Sequence, residues 1–197
     1  MIAPRLVLAL ACVGVFEADA PTPRESTPQA PVQGTRYGLG RPATAQEIAA
    51  WDIDVNPAGE GLPAVSATSI DGAKLWAAKC AACHGEHGEG NERYPRLVGR
   101  DPETGFPFGR QLKYVRTVGN YWPYATTLYD YIHRAMPPTA PGSLTPDEIY
   151  GAVAWLLAAN RIVPPDAVID SRSLPRVRMP ARDRFVDDDR TGGKEFR

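Results

Sequence analysis

Cys80-Ala81-Ala82-Cys83-His84 decides how this chain folds. Two cysteines three apart lie on one helical turn. There each can form a thioether with one of the two vinyl groups on one edge of a porphyrin. The histidine that follows then stands beneath the iron with a neutral nitrogen free to bind it. Two other chemistries use closely spaced cysteines. A thioredoxin-like redox pair does not need the histidine, and a four-ligand zinc site needs more cysteines or histidines in suitable places. The spacing therefore points to covalent attachment of one haem c through Cys80 and Cys83, with His84 as an axial ligand.

A histidine-held iron leaves a sixth position. Met136-Pro137-Pro138 supplies the best ligand: a thioether is soft and neutral, and the prolines stiffen the loop that must hold it. Met179-Pro180 is the rival, in a stretch with little apolar periodicity. His87 lies in a glycine-rich loop and reads as solvated. His133 falls on the helix preceding Met136 and reads as a hydrogen-bonded histidine at the edge of the core. Arg93, Arg96 and Arg100 crowd the loop beyond the motif, and the sequence does not choose among them as a partner for a haem propionate. Trp122 and Tyr124, in Trp122-Pro123-Tyr124, read equally as core aromatics or as rings against the porphyrin.

Outward from the motif, a helix capped by Asp71 runs to about Cys83 and shows Gly72, Leu75 and Trp76 on one face. A second begins at Thr145-Pro146-Asp147-Glu148, a capping box with proline at the first helical position, and ends near Asn160. Ile149, Ala152, Val153, Leu156 and Leu157 make its apolar stripe, with Trp155 beside it. Gly72 and Gly151 predict close crossing of the two helices. Between them, Gly85, Gly88 and Gly90 are expected to let backbone pass close to the porphyrin edge. Two further short helices are expected, over residues 111–118 and 126–135. The fold class is mainly α, a helical domain around one covalent haem spanning residues 70–162, with extended arms on both sides.

The N-terminal arm covers residues 37–69. Thr44-Ala45-Gln46-Glu47 is a capping box, and the short helix it opens would show Ile48 and Trp51 on one face. The C-terminal arm, residues 163–197, lacks periodicity and carries the acidic run Asp187-Asp188-Asp189. It reads as disordered or laid across a larger partner. Residues 1–20 have the form of a secretory signal: Arg5, an apolar run too short to span a bilayer, and Ala18-Asp19-Ala20 as the cleavage pattern. A lipid anchor at Cys12 is the other use of this segment. Residues 21–36 are a proline-rich, polar linker. Secretion to the periplasm agrees with the attachment chemistry, and no transmembrane helix is expected.

Three cysteines, one of them in the leader, leave no disulfide framework, so stability must come from burial. The formal charge of −1 gives no reason to expect nucleic acid as a partner. No nucleophile–base pair or paired carboxylates stand out, so no catalytic residues are expected in this chain.

Cys80-x-x-Cys83-His84, Met136-Pro137 and the helix of residues 145–160 together resemble a class I cytochrome c. The flanks resemble more closely the SoxD-type cytochrome subunit of bacterial sulfur oxidation. They include residues 37–44 (Tyr-Gly-Leu-Gly-Arg-Pro-Ala-Thr), Trp51-Asp52-Ile53-Asp54-Val55 and Gly61-Leu62-Pro63. Residues 121–127 (Tyr-Trp-Pro-Tyr-Ala-Thr-Thr), Arg134-Ala135-Met136-Pro137 and Val177-Arg178-Met179-Pro180 belong to them too. The resemblance implies a pairing with a molybdenum-cofactor dehydrogenase subunit that oxidises a sulfur compound. This chain would accept the electrons singly and pass them to a downstream cytochrome c acceptor. It also implies Met136 as the distal ligand and Pro95 as the proline whose carbonyl orients the His84 ring. Some SoxD proteins carry a second haem domain with its own motif, and this sequence has only one. A free-standing electron shuttle and a haem ligand sensor are the other functions that one covalent haem allows.

Overall fold

The computed structural model describes residues 39–186 except 109, 110 and 112. The expected signal and linker, Cys12 and the acidic run at 187–189 lie outside the described residues. The chain divides after Pro42, and the unit Ala43–Arg197 carries every element below.

That unit is built on the crossing of two helices. The first, α2 (Ser69–Leu75), continues through a π turn (Trp76–Cys80) into α3 (Ala81–His84). Its cap is Thr68 rather than Asp71: the Thr68 hydroxyl accepts from the Asp71 N–H, and the Asp71 carboxylate reaches back to the Thr68 N–H. The capping box therefore begins three residues earlier than expected. The last long helix, α5 (Pro146–Ala159), has the predicted cap at Thr145. It is buried almost all round, because Tyr150, Gly151 and Ala154 are covered as well as the predicted stripe.

Gly72 and Gly151 meet as expected. A Cβ built on Gly72 would stand 1.9 Å from the Gly151 carbonyl oxygen, so only glycine lets the backbones come this close. One turn further along, Trp76 and Trp155 stack with ring centroids 3.8 Å apart. The remaining long helix, α4 (Ala125–Ala135), packs on α5 through Leu128, Tyr129 and Ile132, and Met136 follows at its C-terminal end.

Residues 111–118 do not form a helix: those described are turns and irregular backbone. Side chains take the place of the helical ladder there. The Asn120 amide donates to the Asp101 and Val115 carbonyls, and its oxygen accepts from the Thr117 N–H.

Both arms fold back on the helices. In the N-terminal arm, α1 (Ala45–Ala49) has the expected capping box at Thr44, yet Ile48 and Trp51 are exposed. Beyond α1 the arm is pinned to α4: the Val55 N–H donates to Asp130, Thr126 donates to the Pro57 carbonyl, and Arg134 bridges Asp54 and Asp130. The described part of the C-terminal arm is neither disordered nor free. Its strand β2 (Val168–Asp170) pairs antiparallel with β1 (Ser66–Thr68), Ala67 opposite Ile169. Ile169, Leu174 and Met179 are all buried in the core. No helix among the described residues is long and apolar enough to cross a membrane.

Candidate functional site

The end of the α2–α3 helix and the end of α4 face each other across an apolar cleft. At one end its walls are Cys80, Lys79, Pro137, Leu144 and Ala152. At the other they include Tyr94, Pro95, Arg96, Arg116, Tyr121 and Trp122. Cys83, His84, Leu97, Ile132, Met136, Pro138 and Leu156 line both ends. The larger end encloses about 540 Å³, within the range of sites that enclose an organic cofactor.

Each chemical group is placed by a local rule. The π turn makes an i→i−5 bond from the Ala81 N–H to the Trp76 carbonyl; it ends on Cys80, and Cys83 follows in α3. Cys80 and Cys83 are both half-buried and are not joined to each other. Burial pushes the Cys80 thiol up to about 11. Among the described residues, no group of three or more His, Cys, Asp or Glu could hold a metal ion by itself, as a zinc site would require.

His84 ends α3 and lies against Trp76 and Tyr94, with ring centroids 6.0 Å away in each case. Burial holds its pKa below the ordinary histidine value, which keeps an imidazole nitrogen free to bind a metal. The Pro95 carbonyl, the group expected to orient the ring, opposes that shift. It raises the pKa as an acceptor facing the ring, and burial outweighs it. Met136 faces the same cleft from the C-terminal end of α4, where its N–H closes the last helical bond on Ile132. Two cysteines beside a neutral imidazole, a thioether on the facing wall and an apolar interior between them are a donor set that fits a covalently bound haem.

The other candidates sort clearly. Met179 is 2% exposed, packed in the core and absent from the cleft walls. His87 is exposed, and His133 packs edge-on against Tyr129. Trp122 lines the cleft, but its indole N–H is given to the Thr127 hydroxyl. Tyr124 does not line the cleft; its ring lies under the Arg182 guanidinium. Gly85, Gly88 and Gly90 do not line it either. A Cβ at each would meet Glu89, Val98 and Arg96 of their own loop, so the glycines serve the tight folding of that loop. Of the three arginines, only Arg96 reaches the cleft. Arg116 reaches it too and was missed, because a helix was expected where it sits.

Residues 67–156 match the family model described as cytochrome c oxidase, cbb3-type, subunit III. No curated protein matches the chain. Among solved structures, the chain is similar to one from the crystal structure of the sulfane dehydrogenase SoxCD from Paracoccus pantotrophus. The TM-score is 0.68 with 40% sequence identity, over 78% of this chain and 73% of that one. With the cleft geometry and the haem motif inside the matched region, the chain belongs to the family of Sox-type c-type cytochrome subunits.

Proposed function

We propose that this chain is a monohaem electron-transfer subunit of a periplasmic sulfur-compound dehydrogenase. In this reading Cys80 and Cys83 carry the haem, and His84 and Met136 hold its iron. The observation that carries it is the convergence of those four side chains on one cleft. When bound, the haem supplies a one-electron couple, and Met/His ligation raises its potential. The residues do the rest. Leu97, Ile132 and Leu156 would exclude water, and His84 and Met136 would hold the iron from the two walls. Catalysis on the sulfur compound belongs to a molybdenum-cofactor partner, whose two-electron oxidation is drained one electron at a time toward a downstream cytochrome.

Two features support a standing partner. The similarity to a chain of a dehydrogenase complex covers most of the molecule. In addition, Trp51 is 86% exposed and Ile48, nearby on the same arm, is 54% exposed. The test is the molybdenum-to-iron ratio of protein purified gently from its native compartment, together with haem reduction on adding substrate. Near-equal metals and rapid reduction support the reading. Iron alone, with no reduction by the separately purified molybdoenzyme, overturns it in favour of a free shuttle. Carbon monoxide binding to the reduced protein at neutral pH would point instead to a ligand sensor.

A further inference from the structure

The two ends of the cleft differ in chemistry, and the difference sets how an amphiphilic cofactor lies in it. A haem carries its vinyl groups on one edge and its two propionates on the opposite edge. Cys80 belongs to the end closed by Lys79, Pro137 and Leu144. The far end holds Arg96, Arg116 and Tyr121. Thioethers at Cys80 and Cys83 therefore turn the carboxylates toward the arginines.

Four arginines compete for them. Arg93 does not line the cleft and lies over the Tyr94 ring. Arg100 lines a separate cavity with Phe106 and Phe108. Arg96 lines the cleft, but its Nε donates to the Val98 carbonyl at 2.6 Å and its Nη1 faces Asp101 at 3.5 Å. Arg116 lines the cleft with its guanidinium 4.8 Å from the centre of the Tyr121 ring, and no carboxylate among the described residues pairs with it. Tyr121 is itself held edge-on by Phe185, at 5.6 Å and 75°. Phe185 comes from the C-terminal arm and also packs on Phe108.

We propose that Arg116 is the cation that meets the haem carboxylates, and that Phe185, acting through Tyr121, is the positioning residue that holds it there. The proposal rests on the haem reading above. A guanidinium fits a carboxylate through two parallel hydrogen bonds, and stacking on a phenol ring restricts its motion beforehand. A cation that compensates carboxylates close to iron disfavours the ferric state. It also keeps those carboxylates ionised to lower pH. Arg116 is exposed, so its replacement leaves the core intact.

The experiment is a spectroelectrochemical titration of the full holoprotein across pH. It compares wild type with Arg116→Gln, Arg116→Lys and Phe185→Ala, after mass and absorption spectra have established covalent haem in each. At a fixed poise near the wild-type midpoint, Arg116→Gln lowers the ferrous-to-ferric ratio at least threefold and moves the pH dependence of the potential to higher pH. Arg116→Lys keeps most of the wild-type behaviour, and Phe185→Ala gives a smaller change of the same sign as Arg116→Gln. Haem-loaded Arg116→Gln that titrates like wild type overturns the proposal. A shift in Arg116→Gln with none in Phe185→Ala overturns the positioning role. Wild-type protein without covalent haem would refute the haem reading itself.

Discussion

Replacing Gly72 by alanine tests whether the helix crossing is the mechanical centre of the fold. The added Cβ would stand 1.9 Å from the Gly151 oxygen, 2.6 Å from the Gly151 carbonyl carbon and 2.9 Å from the Trp155 Cβ. The two closest atoms are backbone of a buried helix and cannot rotate away. The overpacking cost therefore lies near the top of the usual range, about 3 kcal/mol. Alanine returns about 1 kcal/mol in helix propensity, leaving a net loss of about 2 kcal/mol. For a chain of this size that is a fall of about 4–8 °C in melting temperature. Gly151→Ala is the control. Its Cβ meets Gly72 backbone at 3.2 and 3.4 Å, a shortfall of a few tenths of an ångström, so strain and propensity nearly cancel. Chemical denaturation of both holoproteins, followed by far-UV circular dichroism, gives the comparison. Gly72→Ala within about 0.5 kcal/mol of wild type, or Gly151→Ala as damaging as Gly72→Ala, would refute the reasoning, since both numbers come from the same close approach.

Met136→Leu keeps side-chain volume but removes the thioether. The oxidised protein should lose its sulfur–iron absorption band, the potential should fall, and the reduced protein should bind carbon monoxide. A retained band would move the ligand elsewhere. Glu148 is held below the usual carboxylate range by the Lys79 ammonium first and the Thr145 N–H second. A depressed carboxylate pKa stabilises the fold above the unfolded value of 4.5 and loses that contribution as pH falls. Glu148→Gln should therefore cost about 0.2–1 kcal/mol near pH 7, where the pair is solvent-screened, and progressively less as pH falls below 4.5. An equal effect across that range would show that charge is not involved. Leu174 is fully buried although it lies in the C-terminal arm, so Leu174→Ala should cost about 2–5 kcal/mol by urea titration. A loss below 1 kcal/mol would mean the arm is not part of the core.

What could be read from the sequence was local or chemically singular. Thr44 and Thr145 announce their helices because a capping box is complete within four residues. Thr68-Ser69-Ile70-Asp71 carries the same pattern, but reading Asp71 as the cap rather than as the third helical residue displaced the start. The cysteines, His84 and Met136 were legible because few chemistries tolerate that set. The C-terminal arm was not. Its three-residue strand is too short to show a period, and its partner lies about a hundred residues earlier, at Ser66–Thr68. Met179 looked like a spare ligand and is core filler, because nothing local signals that the arm returns to the helices. Residues 111–118 failed for the complementary reason. Apolar spacing suggested a helix, but Gly119 must sit where a Cβ would stand 2.4 Å from Asn160 Oδ1, and Asn120 satisfies the backbone instead. Both are tertiary facts, and Arg116 was lost with them.

The π turn explains how one helix serves both the core and the cleft. In an unbroken α-helix, residues 72, 76, 80 and 83 would share one stripe and all face α5. The turn over Trp76–Cys80 holds one residue more than an α turn, so everything beyond it is rotated. Gly72 stays on Gly151, Trp76 stacks on Trp155 and reaches the edge of the cleft, and Cys80, Cys83 and His84 open into it. The opposing wall, ending in Met136, is pinned separately by the bonds of α4 to residues 54–57. A flat, rigid cofactor needs a gap of fixed width, and side chains alone would close it or let it vary. Here two contacts hold the walls: the backbone crossing at Gly72 and Gly151, and the side-chain bonds of Thr126, Asp130 and Arg134 by which the N-terminal arm clamps α4. That is why substitutions at either contact should disturb the iron site although neither touches it.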